Sequence, residues 1–461
     1  LPESDDALLI TLDREARTPL AVQLADALRA AAAAGQLRAG DRLPSTRTMA
    51  SHLKVSRTVT AAAYDQLLAE GWIVGKHGSG TYVTTAPPGS SPVPSDRPRT
   101  DAPSPDLISL ELGRPWVGGL DRAAWRRAWR AAADNEPLVR HHPAGLPEYR
   151  EAVAEHLLRH RGLTIRGGLA TEAVLATGGT SAAVAELAVS VFQPGDTVAV
   201  EEPGYRRTVE ALKAVGVQVL PAPLDRDGIL VDQIPSGIRA VYCSPAHQYP
   251  LGSRLPAARR VALVERARRE GWLIIEDDYD GELRYDVAPL PLLAALAPDV
   301  VVHLGTTSKI LTPTLGAGWL VGPPEVAGTL LAYRERTGTG PAPAGQRVLV
   351  ELARNGDLGR HLRRLRRELS ERRVLVVETL RAAGIPVLGD DAGSHVVVLL
   401  PSIEKERSVV HQATRLGVRL DGLERHHTGP SRWHGVAIGY TACSRDQLIS
   451  VLPPLIDLLT T

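Results

Sequence analysis

The chain has 461 residues, 44% of them hydrophobic, which excludes a disordered polypeptide and is too long for one ordinary core, so at least two domains are expected. A formal net charge of +1 excludes a general polyanion binder, and charge has to be read locally. The two cysteines, Cys243 and Cys443, leave room for neither a disulfide framework nor a cysteine-based zinc site, and no metal is expected.

Residues 18–36 read as a helix. Pro19 stands at its start, Leu20, Leu24, Ala27 and Leu28 follow at helical spacing, and Gly35 lies near its end. Ser45 can cap a second helix to about Leu53, and Ser56 a third from Arg57 to about Glu70, with Gly71 as its stop. Two β-prone runs, 72–74 and 81–83, flank the glycine-rich turn 75–80 and predict a hairpin. The expected N-terminal domain, 1–85, is therefore three helices and a small wing. Residues 86–106 are dominated by Pro and Ser and read as a semi-extended linker. In the third segment, 107–461, short apolar strands alternate with helices, among them 173–176, 197–200, 240–243, 272–275, 300–304 and 317–321. That alternation predicts an α/β domain with a largely parallel sheet, followed by a smaller α/β piece from about residue 345. No apolar stretch reaches ~18–20 residues free of charge, and the first residues show no basic segment followed by an apolar run, so a cytoplasmic protein is expected.

Residues 18–85 hold seven Lys/Arg against four acids, a modest basic bias. The first residues of a third helix in such an arrangement enter the major groove of DNA, where Arg57 can bond two acceptors of a guanine and Thr58 a base or phosphate. Arg47 opens the second helix, whose free backbone N–H groups suit a phosphate. His77 and Gly78, at the hairpin tip, can reach the neighbouring minor groove or backbone. A three-helix interaction module with solvated arginines is the alternative that spacing leaves open. The segment GDRLPSTRTMASHLKVSRTVTAAAYDQLLAEGWIVGKHGSGTYV resembles, along its whole length, the winged helix-turn-helix of the GntR family. The resemblance implies that Arg47, Arg57, Thr58, His77 and Gly78 face operator DNA. Ala61 sits where some members carry a further DNA-contacting arginine.

The second half carries a different chemistry. Ile274-Ile275-Glu276-Asp277-Asp278-Tyr279 is an apolar run ending in acids, and a carboxylate at the C-terminal end of a strand points into the ligand crevice of an α/β sheet. Asp278 should turn away from Asp277 by strand alternation. The next apolar run exits through Thr306-Thr307-Ser308-Lys309. Upstream, Thr177-Gly178-Gly179-Thr180-Ser181 precedes an Ala/Leu helix whose N-terminus can cradle a phosphate. A lysine for an imine, an acid for a pyridine nitrogen, donors for a phosphate and a flat partner for the ring are the needs of pyridoxal 5'-phosphate, PLP. Lys309 is the Schiff-base lysine in this reading and Asp277 the acid. Gly179, Thr180, Ser181, Thr306 and Ser308 serve the phosphate, and Tyr205 stacks on the ring.

The order of PAGLPEYREAVAEHL, EEPGY, SPAHQYPLG, EDDYDGELRY and GTTSK resembles fold-type I aminotransferases over about residues 107–458, and most nearly the MocR subfamily of GntR regulators. The resemblance implies an N-terminal winged helix-turn-helix (α+β) joined to an α/β fold-type I PLP-dependent aminotransferase-like domain, and it sets Tyr279 near the ring hydroxyl. It also exposes departures. Gly316 and Ala437 stand where the subfamily commonly has arginines, for the phosphate and for a substrate carboxylate. Arg140 and His141 replace a Tyr-Gly pair whose tyrosine usually reaches the partner subunit's phosphate. Arg207 and Arg432 are the replacement clamps expected for an effector. The expected protein is a homodimeric, PLP-binding transcription regulator that senses an amine, an amino acid or PLP itself. The alternative is an active aminotransferase with an autoregulatory DNA-binding domain, and a third reading leaves the pocket only a role in dimerisation.

Overall fold

The structure, a computed structural model, describes residues 10–76, 80–85, 107–163, 173–285, 289–389 and 391–460. His77, Gly78 and the segment expected as a linker lie outside them. The chain divides into two compact units, Leu1–Ala102 and Pro103–Thr461.

The first unit holds α1 (Leu20–Ala33), β1 (Arg42–Leu43), α2 (Thr46–Leu53), α3 (Arg57–Ala69), β2 (Ile73–Lys76) and β3 (Gly80–Val83). The expected caps are made. Ser45 Oγ accepts from Thr48 N at 3.1 Å and Ser56 Oγ from Val59 N at 3.4 Å, each satisfying one orphan donor of its helix. Lys54, with φ 52°, closes α2 in the left-handed region and turns the chain into α3 within three residues. Two side chains fix α3 against the start of α2: Tyr64 Oη donates to the Pro44 carbonyl at 2.8 Å, and Thr60 Oγ1 to that of Thr46 at 2.8 Å. Leu24, Leu28, Met49, Tyr64, Leu67, Ile73 and Val83 form the core. β3 pairs antiparallel with β1 and β2, so the wing is a three-stranded sheet with one more strand than the hairpin expected.

The second unit begins with β4 (Ile108–Ser109), α4 (Arg122–Ala133) and α5 (Pro147–Arg161), then β5 (Val174–Thr177), α6 (Thr180–Ser190), β6 (Thr197–Glu202), α7 (Arg206–Lys213), β7 (Gln218–Asp225), β8 (Gly228–Ile229), β9 (Ala240–Cys243), β10 (Leu273–Asp278), β11 (Val301–Thr306) and β12 (Gly318–Val321). Strands β5 to β12 make one eight-stranded sheet in the order β5-β12-β11-β10-β9-β6-β7-β8. β7, β6, β9, β10 and β11 are mutually parallel. β12 departs from the expected parallel pattern and runs antiparallel to both β11 and β5. The connection from β11 to β12 holds only a short 3-10 turn at Pro313–Leu315, and without a crossover helix a strand returns antiparallel. A smaller antiparallel sheet follows, with β16 (Gly435–Gly439) between β13 (His395–Leu399) and β15 (Asp421–Gly422). The helix Asp357–Ala382 leads into it. β4 pairs with β14 (Val418–Arg419), so the start of this unit is stitched to its C-terminal part. Among the described residues no helix is long and apolar enough to cross a membrane.

Candidate functional site

In the first unit Arg57 and Thr58 are the first two residues of α3 and Arg47 the second of α2; all three are exposed. No acid stands in the first turn of either helix. Arg47 and Arg57 form no ion pair among the described residues, so two cations stand free at helix N-termini, where the backbone also favours anions.

In the second unit the C-terminal ends of β5, β10 and β11 and the start of α7 border a cavity of about 570 Å³. Of the residues named from the sequence, Gly179, Thr180, Ser181, Tyr205, Arg207, Asp277, Tyr279, Thr306, Ser308 and Lys309 all line it. Arg432 does not; it is exposed, and its backbone N–H donates to His427 Nε2 at 3.3 Å.

The anion end is built on α6. Gly179 precedes that helix with φ 114°, and a Cβ there would stand 3.1 Å from Thr306 Oγ1. Only glycine lets the helix N-terminus approach the hydroxyls of the β11 exit so closely. Thr306 Oγ1 donates to Ser308 Oγ at 2.9 Å and accepts from Ser308 N at 3.1 Å. Ser181 Oγ and Tyr205 Oη are 2.9 Å apart, which anchors the Tyr205 ring at the cavity. Gly316 closes the 3-10 turn with φ 62°, and a Cβ built there would meet nothing within 4 Å. Arg140 is exposed and borders a separate cavity of about 180 Å³.

Strand alternation separates the acids of β10. Asp278 turns from the cavity to the fully buried Arg161, which donates to its two oxygens at 2.5 and 2.8 Å. Asp277 points to the cavity. Its Oδ2 accepts from Tyr242 Oη, while its Oδ1 is buried and finds no hydrogen-bond partner among the described residues. Burial, with the charges of Asp278 and Asp280 and against the Tyr242 bond, raises the carboxyl from 3.8 to about 7. Burial also lowers the Lys309 ammonium, opposed by Asp280 and Asp277, which enriches the neutral, nucleophilic amine. Lys309 Nζ donates to the Gly113 carbonyl at 2.6 Å. A Cβ on Gly113, which has φ 72°, would lie 2.7 Å from that nitrogen. Tyr279 Oη lies 3.0 Å from His247 Nδ1, which is also 2.9 Å from Asp280 Oδ2.

Sequence reasoning missed Tyr242, Gly113, His247, Arg425 and His426. Tyr242 is read as one more residue of an apolar strand, and the others have no local pattern that marks them. Ala437 is buried within β16, opposite Val397 and Asp421, and brings no charge to the cavity.

The raised Asp277 carboxyl has a testable consequence in the ligand-free chain. A group whose folded pKa exceeds its unfolded value contributes stability below the unfolded value, and that stability is lost as pH rises through the folded one. The melting temperature of the parent relative to Asp277→Asn should therefore fall between about pH 5 and about pH 8. A difference that stays constant across that range contradicts the assigned shift.

Comparison with known proteins finds two families on the chain. Residues 20–83 match the bacterial regulatory proteins of the gntR family, and residues 111–418 match aminotransferase class I and II. The HTH-type pyridoxine biosynthesis transcriptional regulator PdxR of Corynebacterium glutamicum is 34% identical over 452 residues, covering 98% of each chain. The probable rhizopine catabolism regulatory protein MocR of Rhizobium meliloti is 33% identical over 459 residues, covering 94% of this chain and 92% of that one. Among solved structures, an archaeal alanine:glyoxylate aminotransferase superposes with a TM-score of 0.71 at 26% identity, covering 77% of this chain and 91% of that one. Kynurenine aminotransferase of Pyrococcus horikoshii gives 0.70 at 24% identity over the same shares, a likeness of fold.

Proposed function

The chain belongs to the GntR family of bacterial regulators, in the MocR type whose second domain is of aminotransferase class I and II, and on that premise we propose that it holds PLP at Lys309 and reports the state of that pocket to operator DNA. It is a DNA-binding transcription regulator; the site roles, the effector, the homodimer, the cytoplasmic location and the 1–85, 86–106 and 107–461 organisation are our reading.

The observation that carries the PLP assignment is the buried Asp277 Oδ1, which lacks a donor beside a lysine held largely as the free amine. A pyridine N–H supplies the missing donor and turns the carboxyl back into a carboxylate. Bound PLP supplies an electron-withdrawing ring and a carbonyl that amines attack. The helix N-terminus at Gly179–Ser181 and the hydroxyls of Thr306 and Ser308 hold the phosphate by backbone and O–H donors. Tyr205 covers a ring face, and Tyr279 presents its hydroxyl to the ring oxygen. On the DNA side Arg57 and Thr58 read base edges, Arg47 meets phosphate, and His77 and Gly78 reach from the wing. An effector that binds one arrangement of the protein better than another shifts operator affinity by the same factor. The PdxR relative, a pyridoxine biosynthesis regulator, supports PLP itself as the signal; the MocR relative supports a catabolic effector.

A working aminotransferase is the second reading, favoured by the low-pKa Lys309 beside Asp277. Gly316 and Ala437 weigh against it, since neither supplies a cation for a phosphate or a carboxylate. Titration of PLP into the purified full chain tests the proposal. It should give a saturable absorption band beyond that of free PLP, and addition of amino acids should yield no more than one equivalent of keto acid. Absence of the band overturns the PLP assignment, and multiple turnovers favour the enzyme.

A further inference from the structure

The cavity has a wall that the PLP reading does not use. It is made by the segment 421–428, which brings Arg425 and His426 to the cavity. Three features make this wall a built site. First, Asp421 is buried, accepts from Leu112 N at 2.8 Å through Oδ2, and pairs through Oδ1 with Arg425. The guanidinium is thereby aimed by one N–H while its other donors stay available. Second, the segment is fastened to the strand-exit loop that carries Tyr205. Gly204 N donates to the His426 carbonyl at 2.9 Å, and Glu202 Oε1 accepts from Thr428 N at 2.5 Å and Gly429 N at 3.1 Å. Third, His426 is only 5% exposed, and its Nε2 is buried without a hydrogen-bond partner among the described residues. Its ring meets Tyr249 edge to face at 5.1 Å. Burial first, then the charge of Arg425, lowers His426 to about 3, so the imidazole is neutral near pH 7 and can donate one hydrogen bond.

The other cations of the cavity are less suited. Arg114 is paired with Glu111 at 2.6 Å and Arg206 with Glu210 at 3.5 Å. Arg207 lines the cavity and forms no ion pair among the described residues. Ala437, the cross-strand partner of Asp421, offers only a methyl group.

We propose that the 421–428 segment selects the effector, with Arg425 and Arg207 clamping an acid group and the His426 Nε2–H adding a third donor, so that the ligand is a primary amine carrying a carboxylate. This rests on the reading of the cavity as a PLP pocket. A guanidinium on a carboxylate in a half-buried site discriminates roughly tenfold or more against the uncharged analogue.

The test uses the full chain loaded with PLP, and the absorption band is measured first in every variant. The probes are glycine, β-alanine, 4-aminobutyrate, 5-aminopentanoate, L-alanine and L-glutamate, with n-butylamine as the acid-free control. Apparent affinities are read from the change in the band. At least one acid-bearing amine should be preferred over n-butylamine by roughly tenfold or more. Arg425→Gln should remove most of that preference while n-butylamine keeps its affinity, Arg425→Lys should retain part of it, and His426→Ala should reduce it less. A merely structural role for Arg425 would weaken both classes of amine together. The proposal is overturned if no acid-bearing amine is preferred, or if the preference survives Arg425→Gln. A chain that takes up no PLP at the outset fails the underlying reading instead, and removes the proposal with it.

Discussion

Lys309→Ala is expected to abolish covalent capture of PLP altogether. In the parent, borohydride treatment of the PLP-loaded chain should add one cofactor mass to the peptide containing Lys309. The chain has only five lysines, so the site of capture is easily assigned. Lys54 and Lys76 lie in the first unit, Lys213 ends α7, and Lys405 donates to the Leu458 carbonyl at 3.0 Å; only Lys309 lines the cavity. The effect should be all or none for the covalent adduct, because no other amine can take the place of one held at the exit of β11. PLP should still enter the variant non-covalently, since Asp277, Tyr205 and the α6 N-terminus remain. Capture on any other lysine contradicts the assignment.

Arg57→Ala should weaken binding to a specific DNA site by ~1–3 kcal/mol, roughly five- to 150-fold, if its guanidinium reads a base. The residue is exposed, begins α3 and has no ion-pair partner among the described residues, so its removal should leave the fold and the PLP band unchanged. Arg47→Ala should act differently. Without a cation on the phosphate there, all sequences are bound more weakly alike, and the slope of log K against log salt falls by about 1. Unchanged affinity in both variants rules out the docking of α2 and α3.

The parts of the site that were legible in the sequence are those set by local geometry. An apolar run ending in acids marked β10, and period-two alternation separated Asp277 from Asp278 correctly, with Arg161 as the partner that holds the second acid. Ser45 and Ser56 were legible as caps because a cap depends only on the next three residues. What was not legible depends on chain segments brought together from afar. The Tyr242 hydroxyl meets Asp277 thirty-five positions away, and the Gly113 carbonyl meets Lys309 across 196 positions. Nothing in either local sequence encodes the partner. The antiparallel direction of β12 was missed for a related reason: an apolar run predicts a strand but not which way it pairs, and the deciding fact was the lack of a helix in the connection. The choice between Arg432 and Arg425 follows the same logic. Both sit in one polar stretch, and the Asp421 pair together with the Glu202 anchor decides that Arg425 meets the cavity.

The central claim is that one chain couples the Lys309 pocket to DNA. The most direct test selects a DNA fragment with the full chain from a random pool and measures its affinity at fixed salt. The measurement is made without PLP, with PLP, and with PLP plus an amine that shifts its band, for the parent and for Lys309→Ala. The account predicts a change of roughly five- to 150-fold on adding PLP or the amine to the parent, the range typical of coupled sites, and none in Lys309→Ala. Equal affinity of the parent in all three conditions would contradict it.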